Sequence, residues 1–535
     1  MPNTDDHALR HGGCLVCQGG AAVDERNGQA RETFARRRRH FIAAALAAPL
    51  AGAPLLAAAG VRNNGRSGDA PGHPPSGSFV VQAGQALLYR NGEQEVVRDC
   101  SILIRNGRVE AVRQSPIRGF PNIDARRQLV VPGLISGHTH ACAGIPTRGL
   151  IEAGRSFARP LELVETLSDD ELDALTALNV AELLLGGATT HVEMSLSLRQ
   201  FKSYVRVARR WGVRGYPGGM VPGIARLFPI WFRADDQALL DSVPGTLAEI
   251  KANLDFARTV NGVDDGRILP QMTPHATDTQ TPGTMRALAA AAAELGNGIG
   301  IHLSQSSQET ATVKRLWGAT PAAWCKQFGF HDGPLFAAHL IGFDFAADAE
   351  AFNAGGAVYV HCPSANGAGG SSQPYPEALA AGMNVSIGID THCNDYLENL
   401  KLAVLYGRVR HALLSPTSPV PLRRPDMADA IRGATLVAAD GLGRDDLGRI
   451  APGARADLVG IDITGPLVGV GTLPPEPLNN LLYANGQSVR MVMTDGNIQV
   501  LDGHFVADDF GRVAGAGAEV VRGIWGRLAG EGWFD

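Results

Sequence analysis

Between residues 129 and 390 the chain repeats one pattern eight times: a short apolar run, then a longer stretch with helical periodicity. The runs are 129–140, 188–194, 213–218, 268–275, 298–305, 334–340, 357–363 and 384–390. Apolar runs of this length, separated by helix-length segments, predict parallel strands joined by crossover helices. Eight such units predict an α/β fold closed into a (β/α)8 barrel. Polarity along the runs supports this, because most begin apolar and reach His, Asp, Glu or Gln at or near their ends. A barrel keeps its chemistry on that face. An open doubly wound sheet would need a glycine-rich phosphate loop after an early strand, and Gly218-Gly219 does not make one.

On either side of the barrel the texture changes to short alternating stretches, such as 86–89 and 101–104, separated by Asn91-Gly92 and Asn106-Gly107. These predict β-hairpins. The pattern returns at 456–462 and at 489–493 before Asp495-Gly496, so the two flanks predict one small composite β-sandwich. The division that follows is a leader 1–59, a linker 60–78, a first sandwich part 79–131, the barrel 132–445, a second sandwich part 446–510 and a helical tail 511–535. Within that tail, 520–528 reads as an amphipathic helix suited to covering a neighbour, which leaves a homo-oligomer open.

The leader carries Arg36 to Arg39 and His40, then Phe41-Ile42 and a run rich in Ala, Leu and Pro up to Ala59. Arg38-Arg39-His40-Phe41-Ile42 looks like a twin-arginine export signal, and Ala57-Ala58-Ala59 offers the small residues a signal peptidase needs. A periplasmic mature protein is expected. Pro49 and Pro54 break the short apolar run, so no stable membrane span is expected in that mature protein. Five of the 7 cysteines follow the cleavage site, an odd number with irregular spacing that gives no disulfide framework. Cys142, Cys362 and Cys393 each lie within two residues of a candidate histidine and read as pocket-lining thiols. A net charge of −5 supplies no basic field for nucleic acid, and the expected partner is a small molecule.

His138-Thr139-His140 closes the first run, where residues two apart project to the same side and can both reach one ion. Alone this pair says little, since paired histidines more often lie on a surface or in a hydrogen bond. His302 on the fifth run, His339 near the end of the sixth and Asp390 at the end of the eighth change that reading. Three imidazoles and a carboxylate can then converge, with a further histidine nearby.

These residues sit within motifs that resemble the amidohydrolase superfamily, in the branch of triazine chlorohydrolases and of cytosine, guanine and adenosylhomocysteine-type deaminases. The motifs run in order from Val131-Pro132-Gly133-Leu134-Ile135-Ser136-Gly137-His138-Thr139-His140 and Gly187-Ala188-Thr189-Thr190 to Pro274-His275 and His302-Leu303-Ser304. Ala338-His339, His361-Cys362-Pro363-Ser364-Ala365-Asn366 and Gly388-Ile389-Asp390 follow. The resemblance implies a single divalent ion, zinc first and iron as the alternative, held by His138, His140, His302 and Asp390. Binuclear relatives bridge two ions with a carboxylated lysine, and 268–275 contains none. A divalent ion lowers the pKa of a bound water from about 15.7 toward ~7. Asp390 would move its proton to the leaving nitrogen, and His339 would orient the nucleophile.

His275 and Gln305 are expected to meet the substrate, with His361 and Glu193 supporting the ligands from behind. Glu309 reads as a solvated helix residue, and His191 and His392 as residues of the pocket or its rim. Phe228, Trp231 and Phe232 hint at an apolar ligand. Gln305 is a departure, because ring deaminases of this branch carry glutamate three residues after the fifth-strand histidine. Glutamine cannot shuttle a proton, and amide, urea or carbamate substrates do not need one delivered to a ring nitrogen. Hydrolysis of such a bond is the leading expectation. The alternatives are deamination or dechlorination of a pterin, purine or triazine, and a periplasmic binder without turnover.

Overall fold

The computed structural model describes residues 77–534, so the twin-arginine segment and nearly all of the linker lie outside the described residues. The barrel strands, numbered within the whole chain, are β5 (Leu134–Thr139), β6 (Ala188–Ser195), β7 (Arg214–Val221) and β8 (Thr273–Pro274), then β9 (Ile299–Leu303), β10 (Leu335–His339), β11 (Val358–His361) and β12 (Asn384–Ile387). β5 to β8 pair in sequence order and β9 to β12 do the same, all parallel. Parallel bridges from Met272 to Ile299 and Ala276 to His302 join the halves at one seam, and Thr139 to Asp390 joins them at the other. The barrel is closed.

β6 and β7 are buried along their whole length, as strands walled on one face by helices and on the other by the barrel interior must be. The fourth predicted run, 268–275, is the exception. Only Thr273–Pro274 forms a strand there, flanked by isolated bridges at Ile268, Met272 and Ala276. Pro270 and Pro274 lack the backbone N–H that a ladder needs.

A crossover helix shows how the sequence builds the outer layer. Ser197 caps the helix Leu198–Trp211 by accepting from the Gln200 N–H, and Gly212 at φ 68° ends it in the left-handed conformation. Phe201, Tyr204, Val205 and Ala208 recur at helical spacing and are all buried on the inner face. Each large member of that face contributes about 1.5–3 kcal/mol of burial.

Both flanks of the barrel enter one sheet. β1 (Phe79–Arg90), β2 (Glu93–Arg105), β3 (Arg108–Arg113) and β4 (Asn122–Pro132) come from the N-terminal side. β13 (Leu458–Asp462), β14 (Val489–Thr494), β15 (Asn497–Leu501) and β16 (His504–Phe505) come from the C-terminal side. Their order is β16-β15-β14-β13-β4-β1-β2-β3. A bulge between Ala83 and Gln85 keeps Val81 and Leu88 in the same apolar cluster as Leu458 and Met493, so strands from both ends of the chain enclose one core.

Arg214, at the start of β7 and fully buried, ties this sheet to the barrel floor. Its guanidinium donates to Asp457 at 2.9 and 3.1 Å and to Asp495 at 2.6 Å. The tail forms the helix Phe510–Gly530, whose Val520, Val521, Ile524 and Leu528 pack with Leu172 and Leu175 of the helix Asp169–Leu185. Its apolar face therefore covers the chain's own barrel, where the sequence suggested a neighbour.

Candidate active site

All nine sequence-predicted site residues are buried at the carboxyl ends of barrel strands or just beyond them. His138 lies in β5 with His140 one residue past it, His302 in β9, His339 at the end of β10, and Asp390 three residues after β12. Their rings crowd together: centroid separations are 4.6 Å for His138 and His140, 4.9 Å for His138 and His302, and 5.3 Å for His302 and His339. Gly388 makes the approach possible. A Cβ there would lie 2.7 Å from Val360 Cγ1 and 3.1 Å from His138 Cβ. Ser304, His339, Leu340 and Asp390 all have positive φ, at 45°, 84°, 51° and 62°. Such backbone costs on the order of 1–3 kcal/mol per residue and is held in place by its surroundings.

Hydrogen bonds fix two of the imidazoles. His140 Nδ1 is 2.6 Å from the Met194 carbonyl and His302 Nδ1 is 2.8 Å from the His275 carbonyl. A carbonyl only accepts, so both Nδ1 atoms carry hydrogen and both Nε2 atoms present lone pairs. Those Nε2 atoms are 3.3 Å apart, and Asp390 Oδ1 is 3.4 Å from His140 Nε2. Acceptors packed this closely repel one another unless a cation lies among them. His138 Nε2 is also buried without a hydrogen-bond partner. Donor atoms of His138, His302 and His339 lie within 4.8 Å of one another, as do those of His138, His140 and Asp390. Burial holds these imidazoles neutral: His140 titrates at about 4 and His339 at about 3, and His138 and His302 are lowered well below 6.5 by burial and by their neighbours. Neutral imidazole is the form that binds a metal. The donor set therefore fits a divalent ion.

His275 follows β8, with its ring 5.2 Å from that of His302 and edge-on to Trp231 at 5.0 Å. Phe232 stacks on Trp231 and on Phe228, so the three aromatic residues form one wall reaching His275. Glu193 accepts twice from the Ala141 N–H, at 2.9 and 3.1 Å, and once from Ser195 Oγ at 2.8 Å. It thus fixes the backbone just after His140 and touches no ligand ring through these bonds; burial pushes its carboxyl up to about 8. His361 ends β11 and donates from Nδ1 to Gln373 Oε1 at 2.5 Å. Gln305 is buried two residues past β9, and neither its Oε1 nor its Nε2 has a partner.

Other sequence expectations change. Glu309 is buried, where the sequence suggested solvent: it accepts from the Gln305 N–H at 2.7 Å and from the backbone and hydroxyl of Thr277. Burial, then the nearby Asp278 carboxylate, pushes it up to about 8. Cys142 lies in an apolar core and bonds Thr176 Oγ1 at 3.0 Å, away from the histidine cluster. Cys362 does reach the cluster beside His339 and Asp390, with burial raising its thiol. His191 bonds the Tyr204 hydroxyl at 3.0 Å, and His392 pairs with Glu152 at 2.8 Å on the rim. Gln373, buried against His361 and His339, is the contact residue of the cluster that sequence reasoning missed. It sits among Gly and Ser residues in 367–373, where no periodicity or motif marks it.

Residues 129–499 match the amidohydrolase family. The chain belongs to that family. An amidohydrolase is a hydrolase of carbon–nitrogen bonds outside peptides, and the cluster at the barrel mouth is its candidate reaction centre. A 5-methylthioadenosine/S-adenosylhomocysteine deaminase from Desulfitobacterium hafniense is 26% identical over 82% of this chain and 97% of the relative. Another of that name, from Moorella thermoacetica, is 29% identical over 71% and 84%. Among solved structures, a zinc complex of atrazine chlorohydrolase from Arthrobacter aurescens has a TM-score of 0.69 at 19% identity, over 83% of this chain and 100% of that one. A zinc-bound adenosine deaminase from Xanthomonas campestris gives 0.68 at 21%, over 84% and 99%. At these identities the solved structures establish the shared fold.

Proposed function

We propose that this amidohydrolase cleaves an amide, urea or carbamate carbon–nitrogen bond in a small molecule, using one divalent ion held by His138, His140, His302 and Asp390. Zinc is the first choice and iron the alternative, since imidazole nitrogen and carboxylate oxygen suit both. When bound, the ion acidifies water and polarises the bond under attack. Asp390 takes the proton of the attacking water and returns it to the leaving nitrogen, which departs poorly as an anion. His339 orients that water and faces the charge that develops on the substrate. Trp231 and its aromatic neighbours wall the apolar part of the ligand.

The observation that carries this reading is Gln305. Its buried carboxamide offers one unpaired acceptor and one unpaired donor group, the complement of a substrate carbonyl and N–H. It has no proton to deliver to a ring nitrogen, and Glu309 is tied to backbone and Thr277 instead. The relatives named as deaminases and as a chlorohydrolase favour a second reading, deamination or dechlorination of a nitrogen heterocycle.

Zinc-loaded protein incubated with amides, ureas, carbamates, aminopurines, pterins and triazines separates the two, with products identified by mass spectrometry. An alkylamine, aniline or carboxylic acid product is expected. Ammonia or chloride from a heterocycle would overturn the first reading in favour of the second, and inertness toward the whole panel would favour a binder. Asp390→Ala is expected to abolish turnover.

We also propose that 36–42 directs export to the periplasm, a reading supported by Arg38-Arg39 ahead of Phe41-Ile42. Residues 1–60 fused to a reporter should export it, and replacing both arginines with lysine should stop that.

A further inference from the structure

We propose that Gln373 sets the tautomer of His339, placing its hydrogen on Nε2 so that an N–H faces the reaction centre. The inference names a positioning residue and, in its kinetic part, rests on the hydrolytic reading above. Gln373 belongs to the loop between the helices Pro363–Ala368 and Tyr375–Ala380, and it is buried.

The orientation of its carboxamide is fixed from outside. The Cys362 backbone N–H, which can only donate, lies 2.7 Å from Gln373 Oε1, so that atom is the oxygen. His361 Nδ1 lies 2.5 Å from the same oxygen and must donate as well. The amide nitrogen is left on the opposite side, where it has two neighbours. One is Asn366 Oδ1, which accepts its first hydrogen. The other is His339 Nδ1, at 3.0 Å.

An amide nitrogen has no lone pair to offer, so the second hydrogen is satisfied only if His339 Nδ1 accepts it. Asn366 Oδ1, 3.2 Å from the same ring nitrogen, could take a hydrogen from Nδ1. That arrangement would set an N–H against an N–H at 3.0 Å and leave a buried amide hydrogen unpaired. With Nδ1 accepting, neutral His339 carries its proton on Nε2. That nitrogen makes no hydrogen bond to the protein and lies 4.0 Å from Asp390 Oδ2. An N–H there donates to oxygen, whether of the attacking water or of the substrate, and does not compete with His138, His140 and His302 for the ion.

The anchor is stiff. The His361 ring that holds Gln373 stacks on Tyr375, with centroids 4.7 Å apart and planes 18° apart. The contacts Tyr375, His361, Gln373 and His339 thus run inward to the centre, and the Cys362 and His361 N–H groups fix which end of the Gln373 carboxamide meets His339.

Nitrogen-15 NMR of the full-length, zinc-loaded protein, labelled at histidine, reads the tautomer without any substrate. His339 is assigned by the signal lost in His339→Gln. Expected is an unprotonated Nδ1 and a protonated Nε2 in the wild type. Gln373→Glu puts an acceptor opposite Nδ1 and should move the hydrogen to Nδ1. A wild-type His339 protonated at Nδ1, or a Gln373→Glu protein with the wild-type pattern, overturns the proposal. If Gln373→Glu fails to fold, the wild-type spectrum alone decides. With a substrate in hand, Gln373→Met should lower kcat at least tenfold and leave KM within twofold, whereas a change confined to KM overturns the kinetic part. A chain that cleaves no amide, urea or carbamate would remove the functional reading and leave the spectrum to judge the tautomer.

Discussion

Gln305 is buried just past β9 with neither atom of its carboxamide hydrogen-bonded, while Glu309, four residues on, has its oxygens bound to the Gln305 N–H and to Thr277. Giving position 305 a carboxyl restores the proton shuttle that ring chemistry needs. Gln305→Glu should therefore raise heterocycle deamination by on the order of 10²-fold and depress turnover of the acyclic substrate, both read from product formation. Glu309 makes a pH prediction. Its folded pKa of about 8 stands above the ordinary 4.5. The stability it contributes is fully present below about pH 4.5 and is lost as pH rises through 8, because the unfolded chain releases that proton first. The urea midpoint of Glu309→Gln should fall less than that of wild type between pH 5 and 8, and equal slopes would refute the shift. Sequence showed the ligand histidines because strand ends announce themselves. Glu309 and Gln373 were hidden because their partners, Thr277 and His339, are 32 and 34 residues away.

At the level of elements, the strand ends carry chemistry and the strand starts carry the join to the small sheet. Arg214 opens β7 and is wholly buried between Asp457 and Asp495. Arg214→Met leaves the buried Asp457 carboxylate without its cation, while Asp495 keeps Arg455 at 3.4 Å and Arg267 at 3.5 Å, so a loss of about 3–5 kcal/mol is expected in urea unfolding. Activity per folded molecule should hold, since the substitution lies at the opposite end of β7. A fall in kcat at full folding would contradict that separation. Most barrel strands and crossover helices were legible from apolar runs and the helical periodicity between them. The run 268–275 was apolar enough to read as a full strand. Its prolines decided otherwise, because periodicity counts side chains while a ladder counts N–H groups. The single hydrogen-bonded order of the small sheet was not legible, since β4 meets β13 across more than 300 residues of chain.

For the whole molecule, binding of the proposed ion would be coupled to folding. Zinc at about a hundred times its Kd would stabilise the folded state by ~2.7 kcal/mol. Chelation should lower Tm and abolish turnover together, and added zinc should restore both; a chelated protein with unchanged Tm would argue against the ligand cluster. The seam between first and last strands shows where that stabilisation acts. His140 N–H donates to the Asp390 carbonyl at 3.2 Å, and Ile389 and Asp390 N–H both reach the His138 carbonyl at 3.0 Å. Three of the four proposed ligands thus belong to the stitch that closes the barrel. Laboratory evolution toward new substrates should accordingly collect its changes in 223–236, around Trp231, because a mutation that widens the molecule at the stitch would empty it of metal in the same stroke.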